Sequence, residues 1–326
     1  MPMTSAGLTR RSLLQATGAL AATAVFHRAT ADVSATQAPA SAAAKAGTEA
    51  LNARRADLAK APIARTRLTD RLALLAGPGG NVVVLHGPDG LLLVDTFVKP
   101  AWPQLKAALD GIGPRIATVI DTHWHFDHAD NNDSLHRAGA AIVAHAHTKL
   151  RLSQSHDIIG LHIEPAPPDA LPVVTFADTH ALSANGEAIA LRHAPAAHTD
   201  TDITVRFSKA NVLHLGDLFF NGSYPFIDAA TGGRMNGMIA AAEQALTIAD
   251  TGTAIVPGHG PLADRAALER YRTMLATIRD RVGSLKAAGK PVVDVQAAKP
   301  TASFDADWGQ GFMGPDAFVA LVYSTL

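Results

Sequence analysis

The chain of 326 residues contains no cysteine. Disulfides are therefore excluded as a source of stability, and thiolate is excluded as a metal ligand. Aromatic residues make up only 5% of the sequence, with three tryptophans and three tyrosines. Charged residues are also sparse at 17%, and the net charge is −1. Residues 1–31 hold Arg10, Arg11 and Arg28 but no acid, so the remainder is more acidic than the whole. Such a body lacks the basic footprint of a nucleic-acid binder, and no nucleic-acid partner is expected. The 48% of hydrophobic residues provides for a sizeable core and excludes a disordered body. A long hydrophobic run is also missing: the N-terminal apolar stretch Leu13–Phe26 is too short to span a bilayer comfortably.

That stretch follows Thr9-Arg10-Arg11-Ser12-Leu13-Leu14-Gln15, which looks like a twin-arginine export signal. Ala29-Thr30-Ala31 supplies a small-x-small cleavage site. The expected organisation is a signal peptide over 1–31, an Ala/Ser-rich linker turning helical over 32–62, and one domain with a C-terminal helical tail over 63–326. Expected consequences are passage through the twin-arginine machinery, a periplasmic or secreted location, and no stable membrane anchor after cleavage.

What is present is concentrated chemistry. His123-Trp124-His125-Phe126-Asp127-His128 places four metal-binding side chains within six residues, directly after the apolar strand-like run Ile116–Ile120. In an extended segment His123, His125 and Asp127 project to one side. His128, at a turn into a helix over Ala129–Arg137, is free to serve a second ion. Three further candidate ligands follow apolar or small-residue segments: His198, Asp217 and His259. Five imidazoles and two carboxylates form a set suited to zinc, and iron, manganese or nickel fit the same donors. The remaining histidines read as surface or satisfied core residues.

At these residues the chain resembles the metallo-β-lactamase fold superfamily of metal-dependent hydrolases. The motifs that carry the resemblance lie between about Arg67 and Tyr271. They are Leu92-Leu93-Val94-Asp95-Thr96, the segment Asp121–His128, Ala197-His198-Thr199, Leu215-Gly216-Asp217 and Pro257-Gly258-His259-Gly260. The resemblance implies an α+β fold, a four-layer αβ/βα sandwich of two facing mixed sheets with helices outside. It implies that His123, His125 and His198 hold one Zn2+, that Asp127, His128 and His259 hold another, and that Asp217 bridges them. This set looks like that of the glyoxalase II and lactonase branches. There are departures: the best-known zinc β-lactamases carry cysteine at the place of Asp217 and lysine at that of Phe220, and glyoxalase II enzymes have glycines where Ala129-Asp130-Asn131-Asn132 stands. Fold and two-metal chemistry are implied; the substrate is not.

The expected activity is hydrolysis by a metal-bridging hydroxide of an ester, lactone, thioester or cyclic amide, β-lactams included. Asp127 is expected to relay a proton. Two divalent ions against two carboxylates and a hydroxide leave a positive site that favours a small, anionic substrate. The alternatives are an iron-dependent oxidoreductase on the same fold and a non-catalytic metal-binding protein. Asp95 and Asp121 are expected to accept hydrogen bonds from ligand imidazoles or nearby backbone, with Thr199 in a similar place. Asn221 and Tyr224 are candidate donors to a developing oxyanion, and Arg234 is a candidate carboxylate-binding cation.

Strands are expected at Leu72–Leu75, Val82–His86, Leu91–Asp95, Ile116–Ile120 and Ala140–Val143, and in the second half near Val173–Phe176, Ala188–Arg192, Ile203–Phe207, Val212–Leu215 and Ala254–Val256. Helices are expected over Trp102–Leu109, Thr148–Ser155, Met238–Ala249 and Leu262–Lys286. Ile158–Pro172 reads as an irregular, proline-rich loop bordering the site, and Ala287–Leu326 as a tail packed on the body.

Overall fold

A computed structural model describes residues 41–326. The expected signal peptide and the first part of the linker lie outside the described residues. Helix α1 (Ala42–Leu58) begins where the Ser41 side chain caps the Ala44 N–H at 3.1 Å. Strands β1 (Ala64–Arg67), β2 (Leu72–Ala76), β3 (Val82–Leu85) and β4 (Leu91–Val94) then run antiparallel. Helix α2 (Trp102–Asp110) crosses over to β5 (Ile116–Ile120), which pairs parallel with β4. Two short helices, α3 (Phe126–Ala129) and α4 (Asn132–Arg137), lead to β6 (Ala141–His145), and α5 (Ala146–Leu152) follows.

Only the start of the segment expected to be irregular, up to Ile163, enters a hairpin, β7 (His156–Ile158) with β8 (Leu161–Ile163), packed on α1; the proline-rich remainder carries no strand. Its strands are three residues each, too short for an alternation to announce them. Strand β9 (Val174–Phe176) then closes the first sheet in the order β1-β2-β3-β4-β5-β6-β9.

The second sheet contains β10 (Thr179–Ala184), β11 (Glu187–His193), β12 (Ile203–Phe207), β13 (Val212–His214) and β14 (Ala254–Val256), in that order. Helix α6 (Met235–Ile248) joins β13 to β14, and α7 (Arg265–Ala287), α8 (Val292–Ala297), α9 (Asp305–Trp308) and α10 (Pro315–Thr325) complete the chain.

Layering follows from side-chain alternation. Val83 and Leu85 of β3 join a core shared with Ile189, Leu191, Val205 and Phe207 of the second sheet. Val82 and Val84, pointing the other way, pack with Leu105 and Leu109 of α2. Both faces of β3 are covered, so all four of its residues are apolar. On the far side, Leu213 and Ile255 meet Met238 and Ala242 of α6 and Leu268, Met274 and Leu275 of α7. The result is the expected helix–sheet–sheet–helix sandwich, with the tail helices joined to the outer core through Phe318 and Val322. Two edge strands escaped the sequence reading. β1 is fully exposed, and β10 is never fully buried. Among the described residues no helix is long and apolar enough to cross a membrane.

Buried His145 is expected to contribute to a pH dependence of stability. His145 stacks on His193 at 3.7 Å and donates from Nε2 to the Ala177 carbonyl at 2.6 Å. Burial, then the neighbouring His193, lower its pKa to about 4. Between that value and the ordinary histidine range the unfolded chain takes up a proton that the folded chain refuses. Stability is therefore expected to fall as pH drops from about 6.5 towards 4. His145→Gln, which keeps an N–H donor but cannot titrate, is expected to flatten that loss in urea unfolding at pH 7 and pH 5. An unchanged difference would assign it to other groups.

Candidate metal centre

Strand ends converge on one edge of the sandwich. β4 delivers Asp95, β5 delivers the segment from Asp121, β13 runs into the turn bearing Asp217, and β14 ends one residue before Pro257-Gly258-His259. His198 lies in the connection between β11 and β12. All seven expected ligands meet there. Donor atoms of His123, His125, His198 and Asp217 form one group, and those of Asp127, His128 and His259 form another; within each group they lie within 4.8 Å of one another. Asp217 faces both. Its Oδ2 is 3.4 Å from His198 Nε2 and 3.9 Å from His123 Nε2, while its Oδ1 is 3.1 Å from His128 Nε2 and 3.4 Å from His259 Nε2. Gly258 is required for this fit, because a Cβ there would overlap Asp217 Oδ1.

The surrounding hydrogen bonds set which imidazole nitrogen carries the proton. His198 Nδ1 donates to the Phe226 carbonyl at 2.8 Å, and His128 Nδ1 donates to Asp95 Oδ2 at 2.7 Å. Thr122 Oγ1 gives its own proton to Asp95 Oδ2, so it accepts from His123 Nδ1 at 3.1 Å. His125 Nε2 donates to Asp228 Oδ2 at 3.2 Å. Each ring is anchored through one nitrogen and turns the other, with its lone pair, inward. Consequently His125 Nδ1 and His198 Nε2 face each other at 2.9 Å with no proton between them. His123 Nε2 and Asp217 Oδ1 are buried without a hydrogen-bond partner. At His123, His125 and His198, lone pairs converging in a buried space without donors are the arrangement that a cation satisfies, and the donor set of the whole site fits divalent metals.

Charge states agree with this reading at His123 and His198, whereas at His128 burial, which lowers the pKa, is outweighed by Asp217, Asp95 and Asp127, which raise it well above the ordinary histidine value, so that there a proton holds the place of a cation. Burial, reinforced by His128, holds the His123 pKa well below the ordinary histidine value. Burial pulls that of His198 to about 4, against the attraction of Asp217. Burial opposes ionisation of Asp217, but His259, His128 and His198 outweigh it and hold the carboxyl below the usual range. Asp127 is likewise held down, because His128 and His259 outweigh its burial. For His259 burial lowers the pKa, yet Asp217 and Asp127 raise it to about 9. Protons and metal ions compete for that ring.

The supporting residues partly follow expectation. Asp95, at a positive φ of 66° and fully buried, accepts from the Thr122 N–H at 2.8 Å as well as from His128. Thr199 donates to Asp202 Oδ1, and its N–H donates to Asp202 Oδ2, both at 2.8 Å, which fixes the turn carrying His198. Four expectations need correction. Asp121 binds no ligand imidazole; its carboxyl takes the Asn132 side-chain N–H at 2.8 Å beneath α4. Asn221 directs its amide to the Pro261 carbonyl at 2.9 Å and steadies the His259 loop through its own N–H, so it is not aimed at an oxyanion. Tyr224 is buried, stacked on Phe318, and donates to Asp305 Oδ1 at 2.8 Å, so its hydroxyl belongs to the tail. Arg234 ties its guanidinium to the Gly233 carbonyl at 2.7 Å.

Sequence reasoning missed Asp228, which anchors His125 and also accepts backbone N–H groups of Ala230 and Thr231. It missed Asn81, whose amide holds the Pro257 and Gly260 carbonyls on either side of His259, both at 2.9 Å. Neither sits in a motif with the ligand it supports. Asp228→Ala is expected to weaken metal binding by about 10–100-fold. Competition against a chromophoric chelator measures this, and wild-type affinity would mean that His125 needs no anchor.

Comparisons with known proteins agree on the architecture. Among protein families, the one described as Metallo-beta-lactamase superfamily matches residues 76–262. No curated protein matches the chain. Of solved structures, a metallo-beta-lactamase from Pontibacter korlensis is similar with a TM-score of 0.55 at 17% identity, covering 66% of this chain and 99% of that one. The stereoselective inverting sec-alkylsulfatase Pisa1 from Pseudomonas sp. is similar with a TM-score of 0.61 at 17% identity, covering 80% of this chain and 50% of that one.

Proposed function

Because the chain belongs to the metallo-beta-lactamase superfamily of metal-dependent hydrolases, we propose that it is a dinuclear zinc hydrolase of small carbonyl compounds: esters, lactones, thioesters or cyclic amides. The observation that carries this reading is Asp217 facing two sets of inward lone pairs, one through each carboxylate oxygen. The residues for one ion are His123, His125 and His198, and those for the other are Asp127, His128 and His259. Bound divalent ions would supply a nucleophilic water at neutral pH and polarise the scissile carbonyl.

The chain's own residues supply the rest. Asp127 and His259 are the members of the set that reach solvent, with 17% and 30% of their side chains exposed. The site is therefore entered on their side. Asp127 Oδ2 lies 3.3 Å from His259 Nε2, ionised and able to accept a proton and return it to a leaving group. Phe220 stacks on His259 at 5.2 Å, and the Phe226 ring lies 5.9 Å from that of His198. These rings keep water from the approach. A small anionic substrate suits the surplus positive charge of two ions against two carboxylates.

Arg10-Arg11 and the apolar run after them support export by the twin-arginine route to the periplasm or beyond. β-Lactams come last among the substrates, because Phe220 stands where the best-known β-lactamases have a lysine. The test is a panel of lactones, thioesters, aryl esters and β-lactams assayed with zinc-loaded protein. Chelator-sensitive hydrolysis of at least one class, restored by zinc, is expected. Inertness towards every class with two ions bound would refute the hydrolase reading.

A further inference from the structure

A cavity lies behind the metal-binding segment. Side chains alternate along that segment: donor atoms of His123, His125 and Asp127 turn towards the metal centre, whereas Trp124 and Phe126 line a cavity of about 190 Å³. One helical turn on, Ala129 and Asp130 line it too. None of the seven candidate ligands is among its walls, so it is distinct from the metal centre.

The walls are fixed. Leu51 of α1, Leu152 of α5 and Ile163 of β8 add apolar surface. Helix α1 sits so close to β8 that a Cβ on Gly47 would stand 2.8 Å from His162 Cβ. The Ala166 N–H donates to the Leu152 carbonyl at 2.7 Å and holds the lip between Pro165 and Pro167. Leu51, Trp124, Ala129 and Ala170 are buried, whereas Lys99, Gln154, Glu164, Pro165 and Pro167 are exposed. The cavity therefore has an apolar floor and opens to solvent at its polar end.

Charge and size define what fits. The charged residues of the lining are already matched: Arg55 with Asp130 through two bonds of 2.7 Å, Lys99 with Asp133 at 2.9 Å, Arg151 with Asp200 at 2.7 Å, and His162 with Glu164 at 3.3 Å. A charged ligand would lose hydration without gaining a partner. Gln154 at the mouth can meet one hydroxyl or amide. An apolar cavity of about 150 Å³ holds benzene, whereas drug-sized ligands need about 300 Å³ or more. The volume admits one ring and little else.

We propose that this cavity is a binding site for a neutral, one-ring apolar molecule carrying at most one hydroxyl or amide, held against Trp124 and Phe126 on the reverse face of the metal-binding segment. Trp124 is a built-in reporter, because its indole is fixed by donation from Nε1 to Thr231 Oγ1 at 3.3 Å.

Titration of isotope-labelled protein with benzyl alcohol, benzoate and benzylammonium tests this by NMR. The readout is the indole N–H signals of the three tryptophans, assigned with Trp102→Phe and Trp308→Phe. Benzyl alcohol is expected to shift the Trp124 signal saturably, with a Kd of about 1 mM or tighter. The signals of Trp102 and Trp308, which do not line the cavity, are expected to stay in place. Benzoate and benzylammonium are expected to bind there about tenfold or more weakly. Ala166→Phe, which fills the cavity from its lip, is expected to weaken benzyl alcohol about tenfold or more. Its unfolding midpoint checks that it folds, and the wild-type signals decide the matter if it does not. An unshifted Trp124 signal, equal affinity for the charged rings, or undiminished binding by a folded Ala166→Phe would overturn the site. No turnover is read, so the outcome is separate from that of the hydrolase.

Discussion

Asp217→Ala is expected to lower kcat/KM by about a thousandfold or more and to strip metal from both groups at once. No other residue of the set faces both. Its Oδ1 stands 3.1 Å from His128 Nε2 and its Oδ2 stands 3.4 Å from His198 Nε2. Removing it leaves the lone pairs of His125 and His198 opposed at 2.9 Å without the charge that draws a cation between them. Asp217→Asn keeps the shape and loses the charge, so it is expected to fall between the alanine variant and wild type in metal content. Elemental analysis beside steady-state kinetics reads both effects, and circular dichroism separates them from unfolding. An alanine variant with wild-type metal content and turnover would remove Asp217 from the site.

Asp127→Ala is expected to reduce kcat by about 10²–10⁴-fold, with loss of metal confined to the group shared with His128 and His259. The reason is position. Asp127 is the one carboxylate of the site on the solvent side, 3.3 Å from His259 Nε2 and 3.9 Å from His128 Nε2. It can move a proton between the interior and the entrance, whereas Asp217 is only 5% exposed. Asp127→Asn separates the roles. A neutral amide that still fills the place is expected to retain more metal than alanine while turning over as slowly. If the asparagine variant turns over at the wild-type rate, proton relay through this side chain is excluded.

How far the sequence reached differs from residue to residue. The cluster of candidate ligands was legible because metal chemistry narrows the choice of residue type and strand ends narrow the position: His123, His125, Asp127 and His128 are local to one segment after β5. His198, Asp217 and His259 each follow an apolar or small-residue run. The strands with buried faces were legible for the same reason, since burial forces the alternation or continuity seen in β3 and β11. The supporting shell was not. Asp228 serves His125 across 103 positions and Asn81 serves the His259 loop across 176, and no local pattern encodes such distances. Tyr224 misled because a tyrosine near a ligand looks functional from sequence alone. Its partner Asp305, 81 positions away, became visible only when the tail folded back. The edge strands β1 and β10 were hidden because exposed or mixed strands carry no hydrophobic signature, and the hairpin β7–β8 because its strands are too short to carry one.

Counting metal is the most direct test of the proposed two-ion centre. The protein, loaded with zinc, freed of excess and analysed for its elements, is expected to hold about two ions per chain, and Asp217→Ala markedly fewer. A wild-type protein that retains no zinc, or one whose zinc content is unaffected by loss of Asp217, would contradict the centre described above.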